Sequence, residues 1–304
     1  MVSRFHGWCP VIRERSSSPG RRSEGRFRGS GPDSSFPLPQ RRYFLNMPSP
    51  ASEPTPPYQA TAAWYDAIYQ ARGRDCHREI ERIAPFWNSD GRSARTRSIL
   101  DAGCGTGAHF EALAFHGTIT GVDRSEDMLA IARRRGIARS VEQADLRSFS
   151  LGRRFDLIVS LFGVFGYLPD RHALREAMRG LARHAGDEGI ILIEPPLFAE
   201  HFKPARRDRT VTTFDGGALE RTAHARRLED ALEIEFTWVH QDPSSGAFRT
   251  IDERHRMLLL PSSLWLEDAR EAFGDDFEIS IHADGPIGRG LLLAVRRGGV
   301  SGSD

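Results

Sequence analysis

Three glycines at alternate positions, with a carboxylate two residues before the first, form the strongest chemical pattern in this chain. The segment reads Asp101-Ala-Gly-Cys-Gly-Thr-Gly107 and follows the apolar pair Ile99-Leu100. A glycine has no Cβ, so a flat ligand can lie directly against the backbone of such a turn. A second apolar stretch, Ile119-Thr-Gly-Val-Asp123, also ends in a carboxylate, which suits the two hydroxyls of a ribose. Together the two segments predict a nucleoside-containing cofactor.

The spacing of the glycines distinguishes between such cofactors. A dinucleotide fingerprint has the spacing G-x-G-x-x-G, whereas this chain has G-x-G-x-G preceded by an acid. That form resembles motif I of the class I S-adenosylmethionine-dependent methyltransferases. The resemblance continues in order through Val122-Asp-Arg-Ser-Glu-Asp-Met-Leu129 and Gln143-Ala-Asp-Leu146. It implies that S-adenosylmethionine is the cofactor, with its methionine part on the glycine backbone, its ribose on the second-strand acid and its adenine near the third motif. The cofactor-binding residues expected on this basis are Asp101, Ala102, Gly103, Gly105, Gly107, Asp123, Asp145 and Leu146.

Further segments narrow the resemblance to one family. They occur in order between Tyr65 and Arg297, and they are Tyr65-Asp-Ala-Ile-Tyr-Gln-Ala-Arg-Gly-Arg-Asp75, Gly166-Tyr-Leu168, Glu194-Pro195, Phe198 and Gly288-Arg-Gly-Leu-Leu292. This set is similar to the N,N-dimethyltransferases of dTDP-linked 3-amino or 4-amino deoxysugars for macrolide-type antibiotics. The resemblance implies that the chain methylates the amine of a small molecule, with an amino sugar nucleotide as the candidate.

The same resemblance implies roles for residues outside the glycine turn. Tyr69 and Tyr167 are the expected catalytic residues and contact the substrate amine. Arg72 is expected at the cofactor carboxylate, and Leu161 contacts the cofactor at the end of the fourth strand. The other expected substrate-binding residues are Glu194, Phe198 and Arg289.

Other acceptors and another class of protein remain open at this stage. Relatives usually carry two tryptophans after Glu-Pro and a serine before Gly-Arg-Gly, where this chain has Pro196-Leu197 and Ile287, both in the region expected to face the substrate. Glycine, sarcosine, or a hydroxyl of a quinone or polyketide are the alternative acceptors. A hydroxyl needs a base, for which His109 and His201 are the candidates. A non-catalytic scaffold that binds the cofactor is the alternative from another class.

Strands alternate with helices over the first part of the fold, which predicts a parallel sheet covered on both faces. The predicted strands are 98–102, 118–123, 139–143, 155–162 and 189–194, and the predicted helices are 58–69, 75–84, 106–116, 126–135 and 170–185. A period of two then predicts an antiparallel meander with strands at 218–227, 232–239 and 247–260. A helix at 262–273 and strands at 277–283 and 290–296 follow. The predicted fold is α/β, a Rossmann-like class I methyltransferase sheet with an inserted antiparallel β-sheet that selects the substrate.

Four segments follow from this organisation. Residues 1–57 are a disordered tail rich in Arg, Ser and Pro, and we expect translation to begin at Met47. Residues 58–196 form the cofactor-binding domain, 197–260 the inserted lobe, and 261–297 complete the first sheet.

The distribution of charge bears on the partners. The net charge is +1, but the first 46 residues hold nine arginines and three acids, which leaves −5 on the rest. An acidic body argues against nucleic acid as a partner. No apolar run reaches membrane-spanning length, and the three cysteines lack metal-ligand spacing, so neither a membrane nor a metal is expected. A cytoplasmic location follows from the cysteines, and a homodimer remains open.

Overall fold

Apolar runs rich in isoleucine, leucine and valine form a seven-stranded sheet at the centre of the protein. The computed structural model describes residues 57–88, 97–203, 207–283 and 285–298, all within one unit. Strands and helices are numbered in chain order. The strands of this sheet are β1 (Ser98–Ala102), β2 (Thr118–Asp123), β3 (Ser140–Gln143), β4 (Phe155–Ser160), β5 (Ala185–Ile193), β10 (Phe277–His282) and β11 (Leu291–Arg296).

The order of the strands creates a crevice at one edge of this sheet. The order is β10-β11-β5-β4-β1-β2-β3, in which β3, β2, β1, β4 and β5 are parallel and β11 is antiparallel to β5. The direction of winding reverses between β1 and β4, and such sheets bind ligands at the carboxyl ends of the strands beside the reversal. Ser160 Oγ donates to the carbonyl of Ala102 at 2.7 Å and ties these two strand ends together.

A second sheet is inserted between β5 and the next helix. It is an antiparallel meander of β6 (Asp208–Phe214), β7 (Gly217–Leu228), β8 (Ala231–Gln241) and β9 (Phe248–Leu258). The predicted fold class, a Rossmann-like sheet with an inserted antiparallel sheet, is thereby confirmed. Strand β6 was not predicted, because this edge strand is rich in threonine and carries few apolar residues that would reveal its alternation.

Seven α-helices in the described ranges pack on the two sheets. They are α1 (Ala62–Ala71), α2 (Cys76–Ile83), α3 (Pro85–Asn88), α4 (Phe110–Leu113), α5 (Glu126–Arg134), α6 (Arg171–His184) and α7 (Ser262–Phe273). The side chains of Asp75, Ser125 and Asp170 cap the amino ends of α2, α5 and α6 by accepting a backbone N–H, as such residues prefer to do. Helices α6 and α7 cover one face of the parallel sheet, and α2, α4 and α5 cover the other.

Helix α1 packs against the inserted sheet. Trp64 and Ile68 of α1 share a buried cluster with Phe236 and Trp238 of β8. This packing fixes the last turn of α1, including Tyr69, between the inserted sheet and the carboxyl edge of the parallel one.

Helix α4 is shorter than the predicted helix at 106–116. Gly107 has a φ of +70°, and a right-handed helix cannot pass through that conformation. The segment from Gly105 to His109 therefore forms turns, and the helix begins only at Phe110.

Other sequence predictions stand as follows. The predicted tail, apart from Pro57, and the start at Met47 lie outside the described residues. The boundaries of the segments 58–196, 197–260 and 261–297 stay predictions. No helix in the described ranges is both long enough and apolar enough to cross a membrane.

Candidate active site

The glycine turn after β1 is held open by the second-strand acid. The backbone N–H of Gly105 donates to Asp123 Oδ2 at 2.9 Å, and Ser125 N–H donates to Asp123 Oδ1 at 2.8 Å. Gly105 has a φ of +54°, and a Cβ placed on it would meet no atom of the described residues within 4 Å. The turn therefore presents bare backbone to open space, beside a fixed carboxylate.

The other glycines of the turn serve packing. A Cβ on Gly103, at a φ of +83°, would collide with the side chain of Val164, and one on Gly107 would lie 2.6 Å from the Phe110 ring. Ala102, between the strand and the turn, is fully buried. Gly105 is thus the glycine of the three that faces a ligand space.

Asp101 is an acid buried at the end of β1. Burial, reinforced by the nearby charge of Asp123, raises the pKa of Asp101 to about 7. Within the described part of the chain, no donor reaches its Oδ2 atom. A buried carboxylate of this kind is suited to a cationic ligand group, which supplies the missing hydrogen bond and favours the ionised form.

The pKa of Asp101 predicts a pH dependence of cofactor binding. Below about pH 7 the carboxyl is protonated, and it must lose that proton before it can accept a hydrogen bond from a cationic ligand group. The affinity for S-adenosylhomocysteine is therefore expected to rise with pH until about 7 and to level off above it. Calorimetric titrations of the wild type and Asp101→Asn measure this. An equal slope in both proteins contradicts the assignment.

Two cofactor residues predicted at the adenine lie after β3. Asp145 is half-exposed and accepts from Arg147 Nε at 2.9 Å and 3.1 Å, a fork that lowers the pKa of Asp145. Leu146 is buried in the core beneath it. Leu161, which follows β4, is buried against the other face of the sheet.

Phe162, which follows β4, has charged side chains packed around its ring and backbone. Phe162 has a φ of +62°, which is uncommon for a non-glycine residue, and its N–H donates to Glu194 Oε2 at 2.6 Å. The guanidinium carbons of Arg74 and Arg289 lie 3.8 Å and 4.7 Å from its ring centroid. Burial raises the pKa of Glu194 and the charge of Arg289 opposes that rise. Of the described residues, none donates to Glu194 Oε1.

Phe198 lies beside the same group. Its ring packs on Gly290, where a Cβ would collide with it, and the neighbouring Arg289 is buried. The three predicted substrate residues Glu194, Phe198 and Arg289 thus lie close to one another around Phe162 and the loop before β11.

Arg74, and not Arg72, lies beside the glycine turn. Arg72, predicted at the cofactor carboxylate, forms an ion pair with Asp208 and donates to Thr210 Oγ1 at 2.9 Å, both on β6. Arg74 turns the other way after Gly73. Its Nη2 lies 3.3 Å from His109 Nε2, and its charge lowers the pKa of Asp101.

His109, a candidate base for a hydroxyl acceptor, is occupied elsewhere. Its Nε2 lies 2.8 Å from Glu79 Oε2, and both side chains are buried. Burial lowers the pKa of His109, against the opposing effect of Glu79. His201, the other candidate, is exposed.

Tyr69 and Tyr167, the two predicted catalytic residues, belong to one cluster of hydrogen bonds. The hydroxyl of Tyr58 lies 3.2 Å from that of Tyr69 and 3.3 Å from that of Tyr167. Burial raises the pKa of Tyr58 and of Tyr167 well above the ordinary tyrosine value, so both phenols are neutral near pH 7. Tyr167 also contacts His255 Nδ1 at 2.9 Å, and His255 Nε2 lies 3.3 Å from Glu253 Oε2.

Sequence reasoning missed five residues of this site: Tyr58, Arg74, Phe162, Glu253 and His255. Arg74 lies in the segment Arg72-Gly-Arg-Asp75. The sequence shows that an arginine is present there, but it does not show on which side of the turn at Gly73 each arginine lies. Glu253 and His255 did leave a signal. They alternate with exposed residues on β9 and lie on the same face of the strand as Met257. The period of two predicts that this face is buried.

Comparisons with known proteins show which family this chain belongs to. The methyltransferase domain family matches residues 99–189. The dTDP-3-amino-3,6-dideoxy-alpha-D-glucopyranose N,N-dimethyltransferase of Streptomyces fradiae is 34% identical over 235 residues, which are 77% of this chain and 90% of that protein. The crystal structure of Streptomyces venezuelae DesVI matches with 33% identity and a TM-score of 0.70, over 78% of this chain and 98% of that chain. The structure of CalS10 with bound S-adenosylmethionine, an amino pentose methyltransferase of Micromonospora echinaspora, matches with 26% identity and a TM-score of 0.67, over 77% and 97%.

The fold, the glycine turn and the second-strand acid define a class I S-adenosylmethionine-dependent methyltransferase. Within that class, the chain belongs to the family of the dTDP-amino-sugar N,N-dimethyltransferases. It is an N-methyltransferase and S-adenosylmethionine is its cofactor, which confirms the predicted class and cofactor.

Proposed function

We propose that this enzyme methylates the amino group of a nucleotide-linked deoxysugar. The observation that carries the proposal is the convergence of the Tyr69 and Tyr167 hydroxyls on one point, at present the hydroxyl of Tyr58. A group with both a lone pair and N–H donors, such as a primary amine, satisfies two phenol hydroxyls at that point. The named relatives that match most of this chain act on amino sugars linked to dTDP.

The cofactor side of the site is assigned from the open glycine turn. S-adenosylmethionine supplies an electrophilic methyl group when it is bound. Asp123 would hold the ribose hydroxyls, the backbone at Gly105 would lie against the methionine part, and Asp101 would accept from its ammonium group. The open space over Gly105 and the unpartnered oxygen of Asp101 fit this cofactor. Asp145, Leu146 and Leu161 would complete the adenine and hydrophobic contacts.

The acceptor side needs alignment more than strong acid–base chemistry. An amine attacks through its own lone pair, so the enzyme must hold it neutral and in line, and positioning of this kind contributes about 7–11 kcal/mol. Tyr69 and Tyr167 would orient the nitrogen. Arg289, with Phe198 and Glu194 beside it, would face the remainder of the sugar nucleotide, where a guanidinium suits a phosphate group.

We assign the cofactor carboxylate to Arg74, and this gives a matched pair of variants. Arg74→Gln is expected to weaken binding of S-adenosylhomocysteine by about tenfold or more, because a charge-assisted hydrogen bond contributes about 1.5–3 kcal/mol. Arg72→Gln removes an arginine two residues away and should change the affinity by less than about threefold. Calorimetry measures both. A larger loss of affinity in the Arg72 variant would contradict this assignment and support Arg72, the residue predicted from the sequence.

A comparison of acceptors tests the proposed function. The expected result is that kcat/KM for a dTDP-linked amino deoxysugar exceeds that for the same sugar without its nucleotide by about 100-fold or more, since the nucleotide contributes binding energy. Methylation of glycine, sarcosine or a quinol in preference to the sugar nucleotide contradicts the proposal. Cofactor binding with no transfer to any acceptor supports the scaffold alternative. The cytoplasmic location, the lack of a nucleic-acid or metal requirement and the homodimer stay predictions.

A further inference from the structure

A buried histidine and glutamate stand behind Tyr167, and the reaction described so far does not use them. His255 is fully buried on β9, and its Nδ1 lies 2.9 Å from the Tyr167 hydroxyl. Its other nitrogen, Nε2, lies 3.3 Å from Glu253 Oε2, two residues earlier on the same strand. The three side chains form a continuous line from the proposed amine position into the core of the inserted sheet.

Hydrogen bonds from two other side chains fix the carboxylate of Glu253. Its Oε1 accepts from the Thr61 hydroxyl at 2.9 Å, and its Oε2 accepts from the indole N–H of Trp238 at 3.1 Å. A carboxylate in a buried site is costly unless donors surround it. Here the third donor is the imidazole of His255. A hydrogen bond to a fixed carboxylate determines which nitrogen of a histidine carries the proton.

The geometry selects one tautomer of His255. With Glu253 as the acceptor, Nε2 carries the hydrogen and Nδ1 has a lone pair. That lone pair can accept from the Tyr167 hydroxyl once the acceptor amine has replaced Tyr58, to which this hydroxyl donates in the free protein. Apart from these two, the titratable group against the imidazole is Tyr58, whose ring centroid lies 4.6 Å from that of His255. The ring centroid of Phe236 on β8 lies 4.7 Å from that of His255. The guanidinium carbon of Arg221, on the next strand β7, lies 5.0 Å from the Phe236 ring centroid.

We propose that Tyr167, His255 and Glu253 form a relay that removes the proton released by each methyl transfer. The inference rests on the proposed function, in which the acceptor nitrogen replaces the Tyr58 hydroxyl beside Tyr167. The nitrogen forms a bond to the methyl carbon with its lone pair, and the carbon–sulfur bond breaks with its electron pair left on sulfur. The amine is then a cation with one proton too many.

The relay disposes of that proton without an ionised phenol. The ammonium donates its proton to the Tyr167 oxygen while the Tyr167 hydroxyl proton moves to His255 Nδ1, so the tyrosine stays neutral. This matters because burial makes the phenolate of Tyr167 unfavourable. Glu253 stabilises the resulting imidazolium, which returns the proton toward solvent when the product leaves. A neutral secondary amine is then ready for a second methyl group.

Kinetics of His255→Asn test the relay. Asparagine keeps an acceptor near the Nδ1 position but cannot take up a proton. We expect kcat to fall about tenfold or more, within the range of general-base contributions, while KM for the cofactor changes by less than about threefold. Log kcat should also rise with pH less steeply than in the wild type. Both the amine and the imidazole must be neutral in the wild type, but only the amine in the variant.

Matched variants separate the relay from a loss of structure. His240→Asn replaces a half-buried histidine on the neighbouring strand β8, which bonds to the carbonyl of Gly216 at 2.6 Å, and it should leave kcat and the pH profile unchanged. Tyr167→Phe combined with His255→Asn should be no slower than Tyr167→Phe alone, because the relay runs through Tyr167. Additive losses would assign His255 a role independent of Tyr167 and overturn the relay.

A spectroscopic measurement needs no substrate. Nitrogen NMR of labelled histidine in the wild-type protein should show the hydrogen of His255 on Nε2, and Glu253→Leu, which removes the acceptor, should abolish that preference. A wild-type imidazole protonated at Nδ1 overturns the relay. Failure of the proposed function is distinguishable. It appears as wild-type enzyme without turnover on amines, whereas failure of the relay alone appears as normal turnover and an unchanged pH profile in His255→Asn.

Discussion

Replacing Gly105 with leucine is expected to abolish cofactor binding while leaving the fold intact. The backbone of Gly105 faces open space, so the leucine side chain meets nothing in the described residues of the free protein, but it fills the position that we assign to the cofactor. Overlap of this kind costs at least as much as overpacking a core, about 1–3 kcal/mol, and no rotamer of leucine leaves the backbone bare. We expect the affinity for S-adenosylhomocysteine to fall by more than about 100-fold.

Gly136 provides the matched control for this substitution. It lies just after α5, has a φ of +65°, and a Cβ on it would also meet no atom of the described chain within 4 Å. Both leucine variants should therefore lose a similar free energy of unfolding, about 1–2 kcal/mol, from the left-handed backbone alone. Thermal unfolding measures that loss, and calorimetry measures binding. Equal affinities in the two variants would show that the cofactor does not lie over Gly105.

Replacing Asp123 with asparagine is expected to have the second largest effect. The asparagine keeps the size of the side chain and one acceptor oxygen, but it loses the charge that strengthens two hydrogen bonds to a ribose. A loss of about 2 kcal/mol follows, which is about 30-fold in the affinity for S-adenosylhomocysteine. Burial raises the pKa of Asp123, and the backbone N–H groups of Ser125 and Gly105 oppose that rise. The same two donors keep the turn in place for the ligand.

The control for Asp123 is an acid on the next strand. Glu142 of β3 lies opposite Val122 of β2 in the parallel register and is exposed, so Glu142→Gln changes the charge of the region without touching the turn. It should alter the affinity by less than about threefold, as exposed charges usually do. If Glu142→Gln and Asp123→Asn weaken binding equally, the effect is long-range electrostatics and Asp123 is not the ribose ligand.

Local patterns in the sequence predict the frame of this site well. The run from Ser98 to Gly107 predicts a strand, a turn and its direction, because positive φ values require glycine and the apolar residues require burial. The alternation in β8, from Leu232 to Trp238, predicts one buried face of the inserted sheet in the same way. Each of these features depends on residues that are close in sequence, so each can be predicted from a single segment.

The contacts between distant segments were not predictable from such patterns. Arg72 and Arg74 are two residues apart and chemically identical, and Arg72 lies against the inserted sheet because Asp208 and Thr210, more than a hundred residues later, bind it. The line from Tyr167 to His255 likewise joins residues on two different elements. Such pairs depend on how α1 packs against β6 and how the segment after β4 packs against β9, which the whole fold determines.

The most direct measurement of the central claim is a mass spectrum of the product. The enzyme is incubated with S-adenosylmethionine and dTDP-3-amino-3,6-dideoxyglucose, the kind of substrate that the S. fradiae relative's name gives. We expect a sugar nucleotide that carries one and then two added methyl groups on nitrogen, with one S-adenosylhomocysteine formed for each. Unchanged 3-amino and 4-amino sugar nucleotides, in a sample that still binds S-adenosylhomocysteine, would contradict it.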